Sequence, residues 1–142
     1  MTAHTGRPTS AGIHFDAVGG TPAYLSRSDH RRRARGSRNK WAIRPPEEYD
    51  VFAASYSGRW LCSDGHNWGV KEAFAVIGTK GERIAKFPQP SNPGDERHGY
   101  PVSARDRKRE TEHRPPPSVT TQWLDQELIS EFDKHRIDRC KI

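Results

Sequence analysis

The chain of 142 residues and 16.1 kDa has room for one domain of ordinary size. Leu, Ile, Val and Phe supply only 22 residues, and 11 prolines, 12 glycines and a mean hydropathy of −1.00 add to a composition that leaves part of the chain unfolded on its own. The net charge of +6 lies entirely in residues 1–40, with eight basic and two acidic side chains; the other sixteen of each sign cancel, so the pI of about 9.6 describes a basic arm on a neutral domain.

Residues 1–30 follow neither a 3.6-residue nor a 2-residue period and pass into RSDHRRRARGSRNK. Residues 1–40 are therefore expected to be a disordered basic arm, followed by a small α+β domain over 41–142. PPEEYDVFAASYSG at 45–58 reads as a helix, with prolines at its start, Glu47, Glu48 and Asp50 in its first turn, and Gly58 able to close it in the left-handed region. RWLC at 59–62 reads as a short strand that ends at the Asp64-Gly65 turn.

AFAVIG and RIAKF flank a polar turn at Lys80-Gly81 and predict a β-hairpin. Alternation puts Phe74, Val76, Ala85 and Phe87 on a core face, with Ile77, Ile84 and Lys86 opposite. PQPSNPGDERHG is loop, and YPVS at 100–103 returns as a short strand that Pro101 confines to an edge or to its first residue. A mobile mixed-charge loop is expected at about 104–117. SVTTQWLDQELISEFDKHRIDRCKI is helical in pattern, with Ser118 as a cap and a second cap signal at Ser130 and Asp133 that allows two helices. The expected architecture is a hairpin and edge strand packed by an N-terminal and a C-terminal helix.

No apolar run has the length of a secretory core or of a membrane span. The expectation is an intracellular, cytoplasmic protein with no membrane association. No phosphate-loop, dinucleotide-binding, HExxH or CxxC motif occurs, and no cofactor is expected. Cys62, His66, His135 and Cys140 include the residue types of a zinc site, but their spacing is not that of a finger or ribbon, and no metal is expected.

The arginine cluster is the most specific signal. Arg27, Arg31, Arg32, Arg33, Arg35, Arg38 and Lys40 put seven cations in fourteen residues, enough to neutralise several phosphates and release their counterions. The reading that follows is a non-enzymatic binding module: a neutral domain that contacts a protein partner, with an arm that lends nucleic-acid affinity. A metal-independent ribonuclease or toxin-like nuclease is the alternative, with His98 and His66 as base and acid, Tyr100 as another acid or a stacking surface, and Lys86, Arg83 and Arg97 on phosphate. A purely protein-binding domain with a dispensable tail is the third reading.

Overall fold

The computed structural model describes residues 6–31, 34, 36, 39–92, 94–105 and 113–142. β1 (Arg7–Thr9), β2 (Gly12–Phe15) and β3 (Tyr24–Arg27) form an antiparallel sheet in that order. After α1 (Pro45–Ser57), a second antiparallel sheet is built from β4 (Asn67–Gly69), β5 (Ile84–Phe87) and β6 (Tyr100–Val102), and α2 (Pro117–Asp125) and α3 (Glu131–Asp138) complete an α+β chain.

The first sheet occupies a stretch expected to be a disordered arm. Its strands are too short to be stable alone, and what holds them is aromatic packing: Phe15 stacks on Tyr49 and Tyr24 on Phe52, each at 4.7 Å between ring centroids. Gly12 permits close approach of the strands, since a Cβ there would lie 2.0 Å from the Ser26 carbonyl oxygen. The alternation in GIHF and the apolar start of YLSR were the signals for this sheet; their brevity amid Gly, Thr and Pro hid them.

A buried carboxylate joins this sheet to α1. Glu48 is 0% exposed and accepts hydrogen bonds from the Tyr24 hydroxyl, from Ser26 Oγ at 2.7 Å and from Arg31 Nη1 at 2.6 Å. Arg31 Nη2 also donates to the Ile43 carbonyl at 2.5 Å. Burial outweighs these favourable partners and pushes the Glu48 pKa up from its ordinary 4.5 to about 7, while burial and Glu48 together keep Tyr24 a neutral donor.

The second sheet lies between two cores. Ile84 of β5 belongs with Trp68, Val102, Val119, Trp123 and Ile137, whereas Ala85 and Phe87 belong with Tyr24, Trp41 and Phe52. The expected alternation along RIAKF holds, but both faces are covered because β5 is a central strand, paired with β4 and β6. Lys86 is consequently only 7% exposed, its ammonium 5.3 Å from the centre of the Trp68 ring.

The predicted hairpin partner differs. Ala73 (φ 60) and Phe74 (φ 50) enter the left-handed region, which ends any strand there. The tight turn survives: Ile77 and Gly78 N–H both donate to the Glu82 carbonyl, and Gly81 takes φ +86. Phe74 joins the core of Ile84, Ile77 joins that of Phe87, and Val76 faces outward. In α1 the left-handed residue is Arg59 (φ 54); Gly58 keeps helical φ/ψ.

The loop expected at about 104–117 is framed by buried Ala104 and His113, and α2 begins at Pro117; residues 106–112 lie outside the described residues. The C-terminal pattern resolves into two helices, α3 being capped reciprocally by Ser130 and Asp133. Pro101 sits in edge strand β6, where its missing N–H costs no ladder bond.

Two outcomes follow from this packing. A Cβ on Gly99 would lie 2.2 Å from the Phe87 ring and 2.7 Å from the Lys86 carbonyl oxygen, whereas at Gly94 it meets nothing. Gly99→Ala is expected to cost about 1–3 kcal/mol in denaturant unfolding, with Gly94→Ala within about 0.5. Glu48 binds its proton more tightly folded than unfolded, so the native state holds the extra proton between about pH 4.5 and 7. Stability should fall by about 3 kcal/mol as pH rises through that window and then level off, and Glu48→Gln should flatten the profile.

Candidate functional site

Register across the second sheet aligns Trp68, Lys86 and Tyr100 in one row, because Trp68 pairs with Lys86 and Lys86 with Tyr100. Two imidazoles meet the Tyr100 ring: His30 stacks on it at 5.3 Å, and His113 approaches edge-on at 6.2 Å. His30 is oriented by its Nδ1–H, which donates to the Asn39 carbonyl at 2.7 Å.

His66 shares a cleft with Lys86, along with Cys62, Asp64, Trp68 and Arg114. The Gln89 backbone N–H donates to His66 Nδ1 at 2.9 Å, so that nitrogen carries no proton. Burial, and then the Lys86 charge, lower the His66 pKa against an opposing effect of Asp64. His98 is not among the described residues lining this cleft. Its surroundings are Arg27, Asp29, His30 and Glu96; burial and then the Arg27 charge lower its pKa, and its Nδ1 is enclosed with no hydrogen-bond partner among the described residues.

The two phosphate-binding candidates are also turned elsewhere. Arg83 donates to the Phe74 carbonyl at 2.6 Å. The Arg97 guanidinium lies 5.8 Å from the centre of the Tyr56 ring and reaches Asn67 Oδ1 at 3.5 Å. Lys86 thus neighbours Tyr100 across the sheet and His66 in the cleft, while His98, Arg83 and Arg97 have separate environments. Among the described residues, no three His, Cys, Asp or Glu side chains converge as metal ligands would.

Of the seven clustered cations, three are described and all three are engaged. Arg27 is bound to Asp29 at 2.9 and 3.1 Å, Arg31 to buried Glu48, and Lys40 to the Ala34 carbonyl at 2.5 Å. Arg32, Arg33, Arg35 and Arg38 lie outside the described residues.

A different basic site stands on the folded part. Lys80 and Arg83 from the turn before β5, Arg105 just after β6, and Arg136 and Lys141 from α3 and the residues beyond it line one cleft of about 230 Å³. A second hollow shares Arg105, Arg136 and Lys141. Among the described residues none of these five cations forms an ion pair with a carboxylate. The cleft's acid, Glu82, is nearly buried, and its Oε1 accepts the Lys80 backbone N–H at 2.8 Å.

Charge is unevenly distributed among the hollows. A separate groove is lined by Glu47, Asp50 and Glu72 with Lys71, which pairs with Glu47 at 3.7 Å, and a neighbouring one by Glu127 and Asp133. Sequence reasoning missed the basic cleft because its cations come from three segments, each interleaved with acids in the chain.

No family model, curated protein or solved structure matches this chain.

With His66 and His98 in different surroundings, full-length protein incubated with end-labelled RNA is expected to give no cleavage beyond that of a His66→Ala/His98→Ala double variant. Product that depends on either histidine would restore the nuclease reading.

Proposed function

We propose that the protein is a non-enzymatic nucleic-acid-binding module whose folded domain itself grips phosphate. The observation that carries this is the convergence of Lys80, Arg83, Arg105, Arg136 and Lys141 on one cleft with no carboxylate ion pair among the described residues. Cations gathered in excess of the one lining acid, Glu82, focus a positive potential, and contact with phosphates releases condensed counterions.

The arginine-rich segment adds to this reading through its anchoring. At one end, Trp41 N–H donates to the His30 carbonyl, and Thr79 N–H donates to the Lys40 carbonyl at 3.0 Å. Residue 40 is thereby fixed beside the turn that carries Lys80, so the cluster's C-terminal end and the cleft belong to one side of the fold.

Lys80, Arg105 and Lys141 are exposed, and no side-chain hydrogen bond of theirs holds the fold among the described residues. Replacing all three by Gln should leave the unfolding midpoint unchanged. The slope of log affinity against log salt, measured by fluorescence anisotropy on a single-stranded oligonucleotide, should shrink by about 2. An unchanged slope removes the cleft from the binding site.

A further inference from the structure

We propose that the nucleic acid this cleft takes is single-stranded, with one base stacked on Phe132. The inference rests on the reading of the cleft as a phosphate site and adds the class of strand. Phe132 stands in the first turn of α3 and is 67% exposed, more than any other large hydrophobic among the described residues; the others, Val18, Leu61 and Val76, are aliphatic. Ile137 on the same helix and Ile129 just before it are buried in the core. The ring is therefore on the outer face of a helix whose inner face is already filled.

Arg136 links this ring to the cleft. It lies one helical turn on, with its guanidinium carbon 5.3 Å from the Phe132 ring centre, and it lines both basic hollows. One flat group thus borders both the aromatic ring and the cationic lining. Two adjacent acidic and basic side chains are already occupied: Asp133 accepts the Ser130 N–H at 3.1 Å, and Lys134 pairs with Asp138 at 2.6 Å. Glu131 sits at the helix start, where the dipole favours it.

The strand class follows from the geometry of bases. In a duplex each base face is covered by its neighbours, so a ring standing on a helix surface meets only phosphate and sugar. In a single strand the faces are open, and an aromatic side chain beside a cationic groove stacks on them with little regard to sequence.

The test uses the full chain with a labelled twelve-nucleotide oligo(dT) and a blunt duplex of the same length, by anisotropy at fixed salt. Wild type should bind the single strand more tightly. Phe132→Ala should lose between about fivefold and a hundredfold on the single strand, with its salt slope and its duplex affinity unchanged. Phe132→Trp should recover binding, and its added fluorescence should be quenched by the oligonucleotide. If Phe132→Ala binds the single strand as wild type does, or if the duplex is preferred while the cleft variants still weaken binding, the stacking proposal falls and the cleft reading stands. If neither strand nor duplex binds, the cleft reading falls and takes this inference with it.

Discussion

The structure depends on the burial of one carboxylate. Glu48 sits on the inner face of α1, where a charge costs several kcal/mol to desolvate, and Tyr24, Ser26 and Arg31 supply the hydrogen bonds that make the site tolerable. Those three donors come from β3 and the segment just after it, so satisfying Glu48 and docking the first sheet on α1 are the same event. Arg31 then lies against Trp41, and Trp41 against Gly78, by successive backbone bridges. Through that chain the helix is tied to Arg31 and to Trp41. A position that looked like a first-turn acid favoured by the helix dipole turns out to hold Arg31, a member of the chain's arginine cluster.

The central strand of the second sheet solves the shortage of aliphatic residues. With so few Leu, Ile, Val and Phe, one large core is out of reach, but a four-residue strand buried on both faces serves two. Phe87 anchors the side shared with Tyr24, Phe52 and Trp41, and Ile84 anchors the side with Trp123 and Ile137. Among the described residues, aromatic side chains are six of the nine buried on the Phe87 side and four of the eleven on the Ile84 side, each burying more area than an aliphatic would. The cost appears at Lys86, which has no exposed face left and rests its ammonium against Trp68.

What the sequence made legible was local. The helix over 45–57, the short strand at 100–102, the turn at Lys80-Gly81 and the Ser130–Asp133 cap were all visible because each is specified by neighbours within a few residues. The first sheet was not, since Phe15 and Tyr24 gain their stability from Tyr49 and Phe52, more than twenty residues downstream. The hairpin was misplaced for a related reason: AFAVIG has the composition of a strand, but β5 finds better partners in NWG and YPV, and Ala73 and Phe74 bend away. Of the residues singled out as a site, Lys86 and Tyr100 are paired by sheet register and His66 shares a cleft with Lys86, while the charges of Arg27 and His30 act on His98. The histidine of RHGYP thus feels charges that the linear text placed in the expected arm.

Charge shows most clearly why a sum over sequence is a poor guide to a surface. Residues 41–142 are neutral in total, and that neutrality argued against any field able to attract phosphate. Folding does not conserve the mixing on which the argument relied. β6 and α3 bring Arg105, Arg136 and Lys141 together with the Lys80 turn, whereas Glu47 and Asp50 of α1, Glu127 of the α2–α3 connection and Asp133 at the start of α3 line other grooves. At physiological salt, charges farther apart than about 8 Å scarcely feel one another. A ligand approaching the cleft therefore experiences its five lining cations and the nearly buried Glu82 before the acids that line other grooves.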